Sequence, residues 1–352
     1  MLDFGKLIAE TVPVVSVSGR EFSAHEYFKK LCAPYFDEVR ADRNGSVIAV
    51  KKCGKPGAPK LLIDAHIDEI GLVVTEITEK GFIRFAPIGG VDAGILPALE
   101  LLVYGKKVIR GVVAAPPPHL LSAEQRGKRP EISSLYLDVG YTKEELEKIV
   151  SVGDVIGFVP NSSRMLSDRY YSKGMDDRSC CLCIIGAVEL LSGRDMKYDV
   201  YAVFSSREET GTLGILSSAY AVDPDLAIVV DVDHALLPDG SNKGAPVVGG
   251  GAIVTYSDNL SRALSDALLE SAKRSRATYQ ITAFTGPTGT NATALQISRH
   301  GVPSVILSLP LKNMHTPVEL GCVSDMESVS TVIAQFVCDG GFDGKEVVLI
   351  DD

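Results

Sequence analysis

The sequence predicts an α/β fold that is interrupted by a mostly β segment. Helix-like and strand-like runs alternate up to residue 71 and again from residue 173 onward, as they do in α/β proteins. Between them, residues 72–160 form short, alternating, turn-rich runs that are typical of a small β domain. We therefore divide the chain into a discontinuous α/β domain, residues 1–71 and 162–352, and an inserted β domain, residues 72–161.

The first elements follow from their periodicity and from the residues that break it. Residues 2–12 and 20–33 are predicted helices, and Pro34 ends the second one. Asn44 and Gly45 form a hairpin turn between two strands, because this dipeptide adopts the left-handed conformations that such turns need. Residues 61–65 are an apolar run that predicts a buried strand.

The inserted segment contains one predicted helix, residues 142–150, which begins with a capping box of Thr142 and Glu145. After the insert, helical and extended patterns alternate again. The predicted helices there are 178–191, 212–220, 259–273, 292–300 and 326–338, and the predicted strands are 199–205, 226–232, 252–255, 279–283 and 304–308.

Composition limits the classes of function. The chain has 352 residues, 45% of them apolar, and a net charge of −10 with scattered basic residues, so we expect no nucleic-acid partner. It lacks an apolar run of membrane-spanning length and the basic, apolar start of a signal peptide, so we expect no membrane partner. The seven cysteines predict reduced, buried thiols in a cytoplasmic protein.

Residues 60–71, with the sequence KLLIDAHIDEIG, are the centre of the predicted chemistry. His66 and Asp68 lie at i and i+2 near the end of the predicted strand, so both side chains project from one face. A metal-ligating imidazole usually gives its second nitrogen to a carboxylate or carbonyl. We therefore expect His66 to bind a metal ion and Asp68 to orient it.

Four later stretches also place an acid or imidazole at the end of a predicted element: SKGMDDR, VFSSREET, AIVVDVD and LKNMHTPVE. Together with the first stretch they supply a mixed shell of imidazoles and carboxylates, which zinc, cobalt and manganese accept. The five candidate ligands are His66, Asp176, Glu209, Asp231 and His315. Two ions that share one bridging carboxylate, roughly 3.5–4 Å apart, need about five protein ligands. We therefore predict two divalent ions per subunit.

The adjacent acids Glu208 and Glu209 reach one site only if the strand before them has already ended, because successive strand residues face opposite ways. One glutamate then binds metal and the other serves as a general base. In the GMDDR stretch, Asp177 is expected to cap the following helix, which leaves Asp176 free to bridge two ions.

The order of AHIDEIG, GMDDR, REETG, VVDVD and MHTPVE, with a β insert after the first, resembles the tetrahedral (TET-type) aminopeptidases, a family of dinuclear metallopeptidases. The resemblance covers essentially the whole chain. It implies a mixed-sheet α/β/α metallopeptidase domain, an inserted PDZ-like β-barrel used for oligomerisation, and a homo-oligomer of twelve subunits.

The resemblance also implies a role for each motif residue. His66 and Asp231 hold one ion, Glu209 and His315 hold the other, and Asp176 bridges them. Glu208 is the general base, with Asp68 behind His66.

Three positions depart from the family pattern, none of them a predicted ligand. Arg207 stands where glutamine is common, Asp233 where threonine is common, and Asn291 where aspartate is common. The loss of a charge at Asn291, which we place near the pocket, bears on the choice of substrate.

We therefore predict a metal-dependent aminopeptidase that removes N-terminal residues from short peptides with a water activated by two metals. One alternative is a related dinuclear deacylase or carboxypeptidase, for which Arg207 or Lys312 would anchor a substrate carboxylate. Another is an inactive assembly protein of the same fold. A glycosidase needs only two carboxylates on a groove, and a chain without tryptophan lacks the usual platform for sugar stacking.

Overall fold

The computed structural model describes residues 2–120, 122 and 127–342. The helices are α1 (Phe4–Thr11), α2 (Phe22–Cys32), α3 (Lys143–Leu146), α4 (Met175–Leu190), α5 (Leu213–Val222), α6 (Arg262–Ser275), α7 (Asn291–Leu295) and α8 (Val323–Asp339). The first nine strands are β1 (Glu38–Ala41), β2 (Val47–Lys51), β3 (Lys60–His66), β4 (Gly71–Ile77), β5 (Ile83–Ile88), β6 (Glu100–Tyr104), β7 (Val108–Ala114), β8 (Tyr136–Asp138) and β9 (Val155–Phe158). The strands that follow are β10 (Ser162–Arg164), β11 (Arg169–Ser172), β12 (Asp199–Ser205), β13 (Leu226–His234), β14 (Ala252–Ser257), β15 (Tyr279–Phe284), β16 (Ser304–Leu311) and β17 (Glu319–Cys322).

An eight-stranded mixed sheet forms the centre of the molecule, in the order β1-β2-β12-β3-β13-β16-β14-β15. Its middle strands β12, β3, β13 and β16 are parallel, and both sides of this block continue through antiparallel pairings. One face packs against α1, α2, α4, α6 and α8, and the other face packs against α5 and α7. The predicted α/β/α architecture is confirmed.

The segment between β3 and α4 contains a closed six-stranded barrel in the order β4-β5-β8-β7-β6-β9, which confirms the predicted β-barrel. Its apolar core is built from residues between Ile70 and Phe158 and is separate from the cores that cover the central sheet. Its first and last strands are neighbours, with Leu72 paired to Ile156. The chain therefore enters and leaves the barrel at nearly the same place.

A small antiparallel sheet, β10-β11-β17, was not predicted from the sequence. It pairs Ser172, just before α4, with Glu319, just after the loop that carries His315. Two segments that are distant in sequence are thereby fixed side by side at the edge of the cavity described below.

Most predicted elements agree with the structure within a few residues, and strand 199–205 agrees at both ends. Two predicted helices are shorter than expected. The capping box of Thr142 and Glu145 is present, but α3 ends at Leu146. Helix α7 ends at Leu295, and the positive φ of Arg299 (51°) shows that the chain has left helical geometry soon afterwards.

None of the helices in the described part of the chain has the length and apolarity that a bilayer span requires.

We propose that residues 72–161 form a unit that can be deleted without unfolding the rest, because the barrel has its own core and adjacent ends. A variant in which a short Gly-Ser linker replaces them should still unfold in one cooperative calorimetric transition. The full-length chain is the control. Insolubility of the shortened chain even at low concentration would mean that the two parts share a core.

Candidate metal centre and active site

The cavity with the predicted site residues lies at the carboxyl end of the parallel strands and has a volume of about 810 Å³. Parallel strands that end together bring their last side chains to one edge of the sheet. His66, the last residue of β3, is level with Ser205 at the end of β12, and Asp231 on β13 is level with Ser308 on β16. The predicted ligands that line the cavity are His66, Asp176, Glu209, Asp231 and His315.

Asp176 lies between the two imidazoles and faces one with each oxygen. Its Oδ1 is 3.1 Å from Nε2 of His66, and its Oδ2 is 3.2 Å from Nε2 of His315. Nε2 of His315 is also 3.3 Å from Oε1 of Glu209. These contacts give Asp176 the placement that a carboxylate bridging two ions needs.

The opposite nitrogen of each imidazole contacts a backbone carbonyl. Nδ1 of His66 is 3.0 Å from the carbonyl oxygen of Asp68, and Nδ1 of His315 is 3.2 Å from that of Gly90. A carbonyl accepts a hydrogen bond only, so Nδ1 carries the proton and Nε2 is the nitrogen available to a metal ion.

Asp68 is fully buried, and its carboxylate holds the turn that carries the two glutamates. Its Oδ1 and Oδ2 accept the backbone N–H groups of Glu208 and Glu209 at 3.0 and 3.1 Å. Asp68 was predicted to orient His66, and the shorter contact to that imidazole comes from its carbonyl oxygen, since the carboxylate is 3.5 Å away. The carboxylate instead fixes the backbone position of Glu208 and Glu209.

The strand before these glutamates ends at Ser205, and Arg207 has a positive φ of 57°, so both glutamates can reach the same cavity as expected. Glu209 faces His315, whereas the side chain of Glu208 has no hydrogen bond or ion pair to a predicted ligand within the part of the chain that the structure describes. Burial raises the pKa of Glu208 to about 7, and the neighbouring carboxylates Asp68 and Glu209 reinforce that effect. A carboxyl group in this range accepts and returns a proton near neutral pH.

Two functional candidates were missed in the sequence. Glu319 is buried, and its carboxylate accepts the backbone N–H of His315 at 2.9 Å and that of Asp176 at 3.1 Å, so it aligns two predicted ligands. It is the last residue of MHTPVE, and its position in that stretch was the only signal. Asp177 was predicted to cap α4, but that helix has no side-chain cap bond, and Asp177 instead accepts the backbone N–H of His66 at 3.2 Å.

Among the described residues, two groups of side chains have ligand atoms within 4.8 Å of one another: His66, Asp176 and Glu209, and His66, Asp177 and Asp231. Asp177 therefore joins the predicted ligands as a further carboxylate at this position. One of its oxygens has no hydrogen-bond partner among the described residues. The donors are imidazole nitrogens and carboxylate oxygens without a thiolate, which fits zinc, cobalt or manganese.

Electrostatics point to the same conclusion. Burial raises the pKa values of Asp177 and Asp231 well above the usual range of an aspartate. The negative charge of the nearby Asp176 raises both pKa values further. Hydrogen bonds to Asp176 and Glu209 raise the pKa of His315 to about 11. Buried carboxylates that lack a cation are costly, and a divalent ion would displace the imidazole proton and offset their charge.

The barrel reaches into this site through the Gly89–Gly90 turn. A Cβ atom on Gly90 would lie 2.6 Å from Nδ1 of His315, and one on Gly89 would lie 3.2 Å from Oε2 of Glu209. Contacts below 3.0 Å force a displacement, so Gly90 is needed for the close approach of its carbonyl to His315. The barrel segment is thus part of the wall around two predicted ligands.

The three departures from the family pattern occupy different environments. Arg207 is not among the described residues that line the cavity, and its backbone N–H donates to Glu21. Asn291 was placed near the pocket from sequence; Thr290 and Thr293 beside it line the cavity, whereas Asn291 itself is 1% exposed and donates from Nδ2 to Asp64 and Ser205. Asp233 does line the cavity.

Known proteins resemble this chain over nearly its whole length. The family model of M42 glutamyl aminopeptidases matches residues 45–332. The lysyl aminopeptidase of Pyrococcus furiosus is 34% identical over 333 residues, which cover 93% of this chain and 94% of that protein.

Solved structures agree with this resemblance. An aminopeptidase from the archaeon Desulfurococcus kamchatkensis is 30% identical and superposes with a TM-score of 0.90, covering 98% of each chain. The TET1 peptidase of Pyrococcus horikoshii, which can assemble into a tetrahedron or a large octahedral shell, is 26% identical with a TM-score of 0.83, covering 95% of this chain and 99% of that one.

We predict that Gly90→Ala weakens metal binding by about tenfold, the lower end of the usual cost of disturbing a group that orients a ligand. The new methyl group displaces His315 and breaks its contact with the Gly90 carbonyl. Calorimetric titration of the metal-free protein with zinc measures the effect.

Gly341→Ala is the matched control, because a Cβ atom there meets nothing within 4 Å. An unchanged zinc isotherm for a correctly folded Gly90→Ala protein would show that this turn does not position His315.

Proposed function

The chain belongs to the M42 glutamyl aminopeptidase family, and we propose that its acidic cavity holds two divalent ions and releases the first residue of short peptides. Metal-dependent aminopeptidase activity follows from family membership and from aminopeptidase relatives that cover nearly the whole chain. The number of ions, their identity and the role of each residue are the proposal.

The placement of Asp176 between two imidazoles is the observation that carries the assignment. In this scheme Asp176 would be shared by the two ions, His66 and Asp231 would hold one of them, and Glu209 and His315 would hold the other. The close contact of His315 Nε2 with both Asp176 and Glu209 supports the second group. Asp177, within reach of His66 and Asp231, supplies negative charge behind the first.

Divalent ions supply Lewis acidity, which polarises a carbonyl and makes a water more acidic. Glu208 takes the proton of the attacking water on a carboxylate oxygen and later gives it to the leaving amine, a role that its raised pKa supports. Asp68 is a positioning residue. Its carboxylate holds the backbone of Glu208 in place, and its carbonyl oxygen orients His66.

Zinc, cobalt and manganese are the proposed metals, because each accepts a mixture of imidazole and carboxylate ligands. A carboxypeptidase or deacylase would need a basic anchor for a substrate carboxylate. Arg207 and Lys312, the two candidates for that anchor, are not among the described residues lining the cavity. An inactive assembly protein would have no reason to retain a complete set of ligands and a base.

We propose a dodecamer as the assembly and the cytoplasm as its location. TET1 of Pyrococcus horikoshii forms large shells, and a dodecamer of it has been solved. The seven cysteines of this chain are all free thiols, as in proteins of reducing compartments. Its net charge of −10 argues against a nucleic-acid partner.

We expect two equivalents of divalent metal per subunit after reconstitution of chelator-treated protein with zinc, cobalt or manganese. Two imidazoles and three carboxylates are enough for two ions that share Asp176. Elemental analysis after gel filtration measures the ratio, with a chelator-treated sample as the blank. Saturation below one equivalent with all three metals would refute the dinuclear scheme.

The glutamine variants of the two adjacent glutamates should lose activity for different reasons. Glu208→Gln keeps the shape of the side chain but cannot accept a proton, so it should bind both metals and lose roughly 10²–10⁴-fold in activity. Glu209→Gln weakens a ligand, so it should lose metal affinity and partly recover activity at high metal concentration.

Metal content and kcat on an aminoacyl p-nitroanilide, measured for both variants, distinguish the two roles. The reverse outcome, with metal lost by Glu208→Gln and kept by an inactive Glu209→Gln, would mean that the ligand and the base are exchanged.

Light scattering coupled to size exclusion should give a mass near twelve subunits of 37.6 kDa. A constant monomer mass over a wide concentration range would contradict the proposed assembly.

A further inference from the structure

One carboxylate in the cavity has no role in the chemistry described above. Asp233 follows Asp231 by two residues on β13, so both side chains project from the same face of the strand into the cavity. Asp233 accepts the backbone N–H of its neighbour His234 at 2.7 Å through Oδ1. Among the described residues no lysine or arginine forms an ion pair with it, and the side chain is only partly buried.

The described residues that line the rest of the cavity include no lysine or arginine that would neutralise this charge. The uncharged part of the lining includes Leu216 on α5, Thr293 on α7 and the flanking residues Thr212 and Ile297. The imidazoles of His66 and His315 contact Asp176, and the remaining imidazole among the described lining residues is that of His234, the exposed neighbour of Asp233. A ligand entering the cavity therefore meets a carboxylate that has no lysine or arginine partner among the described residues.

The separation suits a substrate side chain. Residues two apart on a strand are about 7 Å apart, so Asp233 lies about that far along β13 from Asp231. A peptide whose first carbonyl is held at the metal centre extends its first side chain into the remaining cavity. A lysine or arginine chain is long enough to cross this distance, and its charge complements Asp233.

We propose that Asp233 makes this enzyme prefer peptides that begin with lysine or arginine and disfavour peptides that begin with glutamate or aspartate. The inference rests on the proposed aminopeptidase function and adds to it the class of the first residue. A partly desolvated charge pair favours a cationic substrate, and the same carboxylate repels an anionic one. We expect each effect to be about tenfold in kcat/KM, since a tenfold ratio needs only about 1.4 kcal/mol.

The test compares substrates that differ in charge but not in length. Lysyl and norleucyl p-nitroanilides form one pair, and glutamyl and glutaminyl p-nitroanilides form the other. The native enzyme should favour lysyl over norleucyl and glutaminyl over glutamyl. Asp233→Asn should bring the lysyl-to-norleucyl ratio of kcat/KM down by about tenfold, and Asp233→Lys should favour the glutamyl substrate.

Glu270→Gln is the matched control, because it removes one negative charge from the exposed surface of α6, outside the cavity. It should leave both substrate ratios unchanged. Product inhibition by free lysine and norleucine gives a second measure that does not depend on turnover of the chromogenic group, and lysine should be the stronger inhibitor only when Asp233 is present.

Each outcome has a distinct meaning. An equal loss for all four substrates in Asp233→Asn would show that Asp233 binds the α-amino group, and a native lysyl-to-norleucyl ratio near one would show no charge selection. Either result overturns the proposal. Absence of chelator-sensitive hydrolysis of every substrate would instead refute the proposed function.

A salt titration of the native enzyme tests the proposal without any variant, in case the variants fail to fold. Because the screening length falls from about 10 Å at 0.1 M salt to about 3 Å at 1 M, the lysyl-to-norleucyl ratio should fall as sodium chloride is added. A ratio that is high and insensitive to salt would locate the preference in a contact other than the charge of Asp233.

Discussion

Negative charge is buried at the carboxyl end of the central sheet, and the contacts around the cavity are arranged to compensate it. Asp68, Asp176, Asp177, Asp231 and Glu319 are all nearly inaccessible to solvent within one small region. Carboxylates are buried at an acceptable free energy only when cations or strong hydrogen bonds compensate them. Backbone N–H groups meet part of that need at Asp68 and Glu319, and the charge that remains unpaired faces the cavity. A bound metal therefore completes the electrostatics of the fold as well as the chemistry.

In a neighbouring cluster, a buried carboxylate is compensated by basic side chains of the chain itself. Glu69, three residues after His66, is paired with Lys173 at 2.6 Å and with Arg178 at 3.0 Å. Although burial opposes it, the charges of Arg178 and Lys173 hold the pKa of Glu69 below its usual range. Burial instead raises the pKa of Asp231 far above its usual range. The contrast indicates that the carboxylates of the cavity are arranged for a cation that the chain itself does not supply.

The supporting contacts come from segments that are far apart in sequence, and one of them belongs to the barrel. The Gly89–Gly90 turn contacts His315 and Glu209, while Glu319 on a separate small sheet aligns His315. The barrel, which has its own apolar core, thus contacts two predicted ligands that other parts of the chain carry. The buried Asn291 donates to Asp64, whose pKa burial raises to about 7. An aspartate at position 291 would place two carboxylates together there, which explains why an amide is well suited to this chain.

The α/β architecture, the inserted β segment and the stretches that carry the candidate ligands are predictable from the sequence, because periodicity, helix breakers and acids at strand ends are local signals. Which oxygen faces which imidazole is visible in the folded chain alone, because Asp176, His66 and His315 come from separate elements. The folded chain also shows that Asp177 accepts the backbone N–H of His66 instead of capping α4, and that Asn291 is buried beside the cavity and donates to Asp64 and Ser205. The two findings have one cause. Whether a polar side chain caps a helix, binds a ligand or satisfies a buried partner depends on neighbours that the fold brings from distant parts of the chain, and no local pattern encodes them.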